Sequence, residues 1–413
     1  MPVDIPPESP HAPGSWWTSG LLGATTIAGA LVVGLLLAEV LLRLAGFSYP
    51  NFYCPDSSVG RTNIPGAAGW FTDEGRAYIE INSDGLRDRE HALIKPAGTV
   101  RIAVLGDSFA AAFQVAADQT FWGRLAPALE ACPTLGGRHI EVINFGVVGF
   151  GTAQEYLMLK SRVWKYAPDV VLLAFLTAND ISDNARALKQ SDLAAYFVHQ
   201  DGKLVEDPLW LARSEKLRPG ALDPLWDPLY AHSRVLQLLA KAREQIKLLI
   251  AGDRPPALAI PGQEPGLYEA VYREPRDPVW REAWSVTEDL IRTMASEVRS
   301  HGAQFMLVTL SNGIQVHPDP TIRRTFAEHF EVTDLFYPDH RIEALARDAG
   351  IPYLMLAPSL LAWAEANGKC VHGFDNATPC AGHWNENGHR LAGEMIAAKL
   401  CHDILPELAE VLR

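Results

Sequence analysis

A serine that is to act as a nucleophile needs an exposed hydroxyl and a base within reach. Ser108 is placed for the first requirement. It closes the tripeptide Gly106-Asp107-Ser108 directly behind the apolar run TVRIAVL at 99–105. A short β-branched run stopping at Gly-Asp-Ser predicts a buried parallel strand that ends in a tight turn. Such a turn lifts the hydroxyl to the carboxyl edge of the sheet, where open α/β sheets bind their ligands. By itself the tripeptide is ordinary turn composition. The second requirement points to the far end of the chain. His383 and His389 bracket HWNENGH, and 390–400 carries apolar residues at helical spacing. A histidine at the mouth of a C-terminal helix can serve as base to a serine far away in sequence. Either histidine alone reads equally well as a capping or surface residue.

Two middle segments offer donors for a developing oxyanion. Residues 141–149 (EVINFGVVG) read as a strand entering a glycine-containing loop. Thr152-Ala153-Gln154-Glu155 follows and has the pattern of a capping box, so a helix is expected to begin there with its N–H groups pointing outward. Residues 169–175 (DVVLLAF) form an apolar strand that runs into Leu176-Thr177-Ala178-Asn179-Asp180. The Asn179 amide at that strand end is a second donor of the right type. Each segment singly is a βα loop with the usual loop residues.

In this order the segments resemble the SGNH (GDSL) hydrolase family, in the form of a membrane-anchored bacterial-type member. The resemblance covers 99 to about 185 and about 284 to the C-terminus. It makes Ser108 the nucleophile. Residues 144–149 match the second block, which makes the Gly149 N–H an oxyanion donor beside the Ser108 N–H. Residues 177–180 match the Gly-x-Asn-Asp block with Thr177 in place of the glycine, and Asn179 inherits the amide role. Residues 380–388 match the Asp-x-x-His block, so His383, not His389, inherits the base role. The chain departs from the pattern at position 380, where Cys380 stands in place of the acid. An acid normally holds the imidazole tautomer and steadies the imidazolium. Asp375 swinging in from the preceding loop, a backbone carbonyl completing a Ser–His dyad, or a weakened or dead site are the three ways to accommodate that departure.

The elements that must position these residues alternate. Strands are expected at 99–106, 139–146, 169–175, 304–310 and 352–357, with helical stretches between them, 284–299 among them. Alternation of this kind implies a parallel sheet covered on both faces by right-handed crossovers. The expected fold is α/β: a doubly wound three-layer α/β/α sandwich around a mainly parallel five-stranded sheet, flavodoxin-like as in SGNH hydrolases, preceded by one N-terminal transmembrane helix. The expected organisation is a disordered, proline-rich N-terminus at 1–16, a transmembrane anchor at 17–45, a juxtamembrane segment at 46–97, and an SGNH hydrolase-like domain at 98–413. Within the juxtamembrane segment 76–82 alternates with period two and reads as a strand beside the active-site edge. The alternation of the core breaks at about 181–281. That stretch reads as an insertion at the ligand edge of the sheet, with a helix at 233–250. Its aromatics, Tyr196, Trp210, Trp226, Tyr230, Tyr268 and Tyr272, either fill a local core or stack on sugar rings.

Residues 17–38 contain no charged side chain and as a helix would span roughly 33 Å, enough to cross a bilayer. Glu39 and Arg43 follow at i,i+4 spacing and are expected to pair. A cleaved signal peptide is the alternative, but residues 1–17 lack the usual basic start. The positive-inside count, Arg43 and Arg61 on the C-terminal side, read literally favours a cytoplasmic domain. The lone N-terminal anchor and a possible Cys370–Cys380 disulfide favour the extracytoplasmic, periplasmic side. The chain has five cysteines, and Cys54, Cys132 and Cys401 show no evident partner.

A net charge of −13 without a basic stripe argues against nucleic acid as a partner. No phosphate loop and no Gly-x-Gly-x-x-Gly is present, so no cofactor is expected. The spacings of Cys370, His372, Cys380, His383 and His389 match no standard zinc pattern, and no metal is expected. The expected function is a membrane-anchored serine esterase hydrolysing acyl esters, acetyl esters among them, of cell-envelope polysaccharide or lipid through a Ser–His acyl-enzyme. The alternatives are a polysaccharide O-acyltransferase of the same fold and a non-catalytic envelope-polymer binding protein.

Overall fold

The computed structural model describes residues 15–217, 223–251, 260–264 and 267–411. Eleven strands occur among them: β1 (Tyr53–Asp56), β2 (Gly60–Asn63), β3 (Ala68–Phe71), β4 (Ala77–Glu80), β5 (Thr99–Gly106), β6 (His139–Asn144), β7 (Val170–Leu176), β8 (Phe197–Gln200), β9 (Lys203–Glu206), β10 (Gln304–Leu310) and β11 (Tyr353–Met355). Five of them build one parallel sheet in the order β11-β10-β7-β5-β6. Counted along the chain this is the order 2-1-3-4-5 of a flavodoxin-like sheet, whose switch point lies between the first and third strands. Here those strands are β5 and β7, and the register Gly106↔Ala174 brings their carboxyl ends side by side. The expected doubly wound, five-stranded α/β/α fold is therefore the one observed.

Every residue of β5 and of β7 is buried, as strands covered on both faces must be. On one face Ala103, Leu105, Val171 and Leu173 pack against the helices Thr152–Ser161, Pro278–Ser300 and Tyr337–Asp348. On the other, Ile102, Val104, Leu172 and Ala174 pack against Phe121–Leu129, Ala357–Asn367 and Glu386–Lys399. The outer strands are shorter than their apolar runs, since β6 stops at Asn144 and β11 covers only 353–355.

The helix expected at Thr152 forms, but without the capping box. Its N-cap is Gly151, which leaves Thr152 one residue too late to cap. The Ala153 N–H is instead met by the Asn184 side chain at 3.0 Å, and Glu155 is buried with both carboxyl oxygens unpartnered. A second correction concerns the cysteines. Cys132 and Cys401 are joined by a disulfide across a sequence separation of 269, a pairing invisible to local spacing. Cys370 and Cys380 are also joined.

The N-terminal helix runs Ser15–Leu44 and so includes Ser15 and Trp16, which the expected disordered stretch 1–16 had claimed; residues 1–14 lie outside the described part. Gly23–Leu44 is long and apolar enough to cross a membrane, and none of its most apolar window is buried. Arg43 pairs with Glu39 at 2.9 Å. The segment 46–97 forms the hairpins β1–β2 and β3–β4, the latter with the alternating burial read from 76–82. Phe52, Ala77, Ile79 and Ile81 of this segment pack against Ala111 and Phe113, just beyond the serine turn. Buried Arg87 donates to the carbonyls of Ala111, Ala112 and Val115 and clamps the same stretch. Between β7 and β10 the chain inserts the β8–β9 hairpin and the helices Pro208–Ser214, Asp223–His232 and Arg234–Ala251. Of its aromatics Tyr196, Trp210 and Tyr272 are core, whereas Trp226 and Tyr268 are exposed.

Candidate active site

Ser108 follows the tight turn at the end of β5 and begins the short helix Ser108–Ala111, capped by the Asp107 carboxylate, which accepts the Phe109 N–H at 2.9 Å. Asn144 at the end of β6 accepts the Gly146 N–H at 3.0 Å and donates to the Ala110 carbonyl at 3.1 Å. It ties the helix to the neighbouring loop. The hydroxyl of Ser108 lies 2.8 Å from Nε2 of His383. Residues from opposite ends of the core thus meet at one hydrogen bond, the distance a general base needs. Phe109 packs on the His383 ring at 5.1 Å and on Trp384 at 5.3 Å, which fixes the plane of the imidazole.

The group behind the imidazole is neither Asp375 nor a backbone carbonyl, the two partners named from the sequence. The Nδ1–H of His383 donates to Oε2 of Glu74, and the His383 backbone N–H donates to Oε1 at 2.8 Å. Glu74 therefore holds ring and backbone together. Asp375 is exposed on the preceding loop, and Cys380 is occupied in its disulfide with Cys370. Glu74 lies about three hundred residues upstream, in the segment before the core, so no motif spacing could have found it. The one available signal was the placement of that segment beside the active-site edge.

The acid is positioned by its neighbours. Asn376 accepts the Gly75 N–H at 2.9 Å and donates to the carbonyls of Gly75 and Thr72 at 2.9 and 3.1 Å, which staples 72–75 to the histidine loop. Two glycines make the approach possible. Gly75 (φ +67) has no room for a Cβ, which would stand 2.4 Å from the Gln114 carbonyl oxygen. At Gly382 (φ +80) a Cβ would stand 2.4 Å from the Glu74 carboxylate. Burial pushes the Glu74 carboxyl up. The hydrogen bonds from the His383 ring and N–H and the adjacent ring charge outweigh this and hold it below the ordinary glutamate range. The native interaction of Glu74 is consequently present above the ordinary glutamate pKa and is lost as pH falls through its depressed value.

His389 does not reach Ser108. It is buried, accepts the Phe121 N–H at 3.3 Å, and burial holds its ring neutral by pushing its pKa well down. His372 is likewise buried and neutral, with its pKa lowered to about 4 by burial. Its Nδ1–H donates to the Gly382 carbonyl at 2.6 Å, and Nε2 accepts from the Ser311 hydroxyl at 2.8 Å, which in turn accepts the Trp384 indole N–H at 2.8 Å. This relay supports the His383 loop from behind.

A cavity of about 370 Å³ opens over Ser108 and His383. Asn179, Leu188, Lys189, Leu267 and Tyr268 line it, so the insertion supplies part of its wall. Asn179 stands at the end of β7 as expected, and its amide donates to Asp183 at 3.4 Å. Gly149 has φ +79 in the loop before Thr152–Ser161 but is not among the lining residues; its carbonyl accepts from Lys189 at 3.4 Å. The structure thus brings Ser108, Asn179 and His383 to one cavity and leaves Gly149 one step behind its wall. If the Asn179 amide receives the oxyanion, Asn179→Ala lowers kcat by about 10²–10³-fold with little change in KM. An equal loss in kcat/KM carried wholly by KM would remove Asn179 from that role.

A second carboxyl, Glu264 of the insertion, lines the same cavity. Its Oε2 accepts the Gly382 N–H at 2.7 Å. Burial, only partly offset by the Gly382 N–H and the nearby His383, raises its pKa to about 7. As pH rises through neutrality Glu264 becomes an anion beside the imidazole loop, and an anion there favours the imidazolium. Glu264→Gln is expected to lower kcat/KM by roughly threefold to tenfold above pH 7 and by less below it. Parallel pH profiles for the two proteins would show that its charge is not used.

No family model matches the chain, and no curated protein matches it. Solved structures do. The chain is similar to a lipase/acylhydrolase from Enterococcus faecalis, at 12% identity over 73% of this chain and 95% of that one, with a TM-score of 0.36. A catalytic mutant of an acetylxylan esterase from Geobacillus stearothermophilus aligns at 11% identity over 75% and 96%, with a TM-score of 0.35. A GDSL-like lipase from Bacteroides thetaiotaomicron aligns at 12% over 78% and 93%, with a TM-score of 0.33. At these values the functional reading rests on the sheet order and the side-chain geometry of the chain itself.

Proposed function

We propose that this protein is a membrane-anchored serine esterase of SGNH type that hydrolyses acyl esters of a cell-envelope polysaccharide or lipid. The observation that carries the reading is the unbroken line Ser108–His383–Glu74 at the switch point of the sheet. In this mechanism Ser108 Oγ attacks the acyl carbonyl while its proton passes to His383 Nε2. The Glu74 carboxylate accepts the Nδ1–H and stabilises the imidazolium, the task of the acid in any such triad. Asn179 and the Ser108 N–H receive the oxyanion; Gly149, expected from the sequence as a further donor, lies outside the cavity lining and is left out of this step. His383 then protonates the leaving alcohol, and water, activated by the same nitrogen, releases the acid. The leucines and Tyr268 around the cavity suit a short acyl group. The binding-protein alternative drew its support from the missing acid at 380, and Glu74 removes that support.

The test is labelling by a fluorophosphonate together with hydrolysis of an aryl acetate. The expected result is one adduct, on Ser108, that abolishes turnover. No adduct and no turnover on any ester would leave a non-catalytic role.

The anchor and the compartment belong to the same proposal. Full-length protein is expected to stay with membranes through carbonate extraction, and a chain lacking residues 1–46 to be soluble and active. Release of the full chain by carbonate would contradict a spanning helix. Two disulfides on the folded domain favour an oxidising compartment. A C-terminal reporter that is active only outside the cytoplasm should therefore report activity, and a silent one would place the domain inside.

A further inference from the structure

A second and larger cleft, of about 790 Å³, lies where the N-terminal helix meets the domain. One wall is the chain that leaves the helix and the β3 strand, with Tyr49, Phe52 and Trp70. The other is the pair of insertion helices, with Trp226, Leu236 and Leu239. Aromatic and aliphatic side chains make up most of the lining, and Ser48, Asn51, Thr72, Asp73, Lys241 and Arg243 are its polar members.

The depth of this cleft relative to the apolar helix is fixed by hydrogen bonds. Glu39, one turn from the end of that helix, accepts the backbone N–H groups of Arg234 and Val235 at 3.0 and 3.1 Å and so caps the helix Arg234–Ala251. Arg43 donates to the His232 carbonyl at 2.5 Å, and the Tyr49 N–H donates to buried Gln237 at 2.8 Å. The insertion helix therefore starts level with the last turns of the apolar span, at the height where a bilayer gives way to water. From there it carries Leu239, Ile246 and Ile250 on one face, with exposures of 60, 54 and 81%. An exposed aliphatic face with Trp and Tyr beside it, at that height, has the character of a membrane-interface helix.

We infer that this cleft binds an acyl chain of a membrane phospholipid. The chain enters along the exposed face of Arg234–Ala251 and lies between the aromatic wall and Leu236–Leu239. Exposed Arg243 at the rim is placed to meet an anionic headgroup. Asp73, paired with Lys241 at 3.7 Å, forms part of the lining and directly precedes Glu74, so the lipid cleft and the catalytic acid share one short segment. The inference rests on the membrane anchoring proposed above.

The test uses the full chain in nanodiscs that contain phosphatidylglycerol bearing a diazirine in one acyl chain, with adducts mapped by mass spectrometry. Adducts are expected on Gly23–Leu44 and on both cleft walls, around Tyr49–Tyr53 and Leu236–Ala240. Ala240→Trp fills the cleft, and Leu239→Glu places a charge at its exposed mouth without disturbing a packed site. Either should lower cleft adducts by about tenfold, the factor carried by about two buried methylenes, and leave those on Gly23–Leu44 unchanged. Adducts confined to Gly23–Leu44 would overturn the lipid cleft and leave the anchor standing. Cleft adducts indifferent to both substitutions would also overturn it, as would protection of the cleft by acetylated oligosaccharide. Absence of adducts everywhere would overturn the anchor with it.

Discussion

Ser108→Ala is expected to lower kcat on an aryl acetate by at least about 10⁴-fold while the protein folds and melts as before. In the proposed mechanism the variant lacks the oxygen that would form the acyl-enzyme. The fold should survive because the turn is held by groups other than the hydroxyl: the Asp107 cap, the Asn144 ties and the Arg87 clamp on Ala111 and Ala112. Turnover in the variant would be compared with wild type by active-site titration, to exclude carry-over of unmodified enzyme. A variant that retains even a tenth of wild-type turnover would end the serine-nucleophile reading, whatever the geometry at His383.

The second large effect is expected at Glu74. Glu74→Gln keeps the size of the side chain but replaces an obligate acceptor with a group that also donates. The amide can turn its N–H toward Nδ1, which selects the wrong tautomer and leaves Nε2 protonated against Ser108. By comparison with the same change in serine-protease triads the loss in kcat approaches about 10⁴-fold, with substrate binding nearly unchanged. Asp375→Asn is the matched control and should stay within about twofold of wild type, since Asp375 is exposed and the Nδ1–H of His383 is taken by Glu74. The reverse outcome, a large loss at Asp375 and a small one at Glu74, would mean that the histidine loop rearranges when substrate binds. The same logic separates two truncations. A chain starting after residue 46 keeps Glu74 and should be active. One starting at residue 98 keeps Ser108 and His383 yet should be inactive, because it has lost the acid together with the hairpins that cover Phe113.

Local pattern was enough to determine much of this protein. The strands of the sheet announce themselves because parallel strands buried on both faces are nearly continuous apolar runs, and β5, β7 and β10 lie within a residue of those runs. Ser108 and Asn179 were legible because each stands at the end of such a run, where the chain must leave the sheet at its ligand edge. The apolar helix and the Glu39–Arg43 pair were legible because length, composition and i,i+4 spacing are properties of a single helix. What only the tertiary structure decided depends on segments that meet through space. Glu74 reaches His383 from a segment with no fixed spacing to it, through an opening that Gly75 and Gly382 leave. Cys132 finds Cys401 because two helical stretches stack on the same face of the sheet. The Ala153 N–H at the start of that helix is met by the side chain of Asn184, thirty-one residues away, so the capping box written in the local sequence had no work left to do. Periodicity reports the burial of a chain against its own neighbours, whereas a carboxylate is recruited by whichever N–H groups the finished fold leaves facing it.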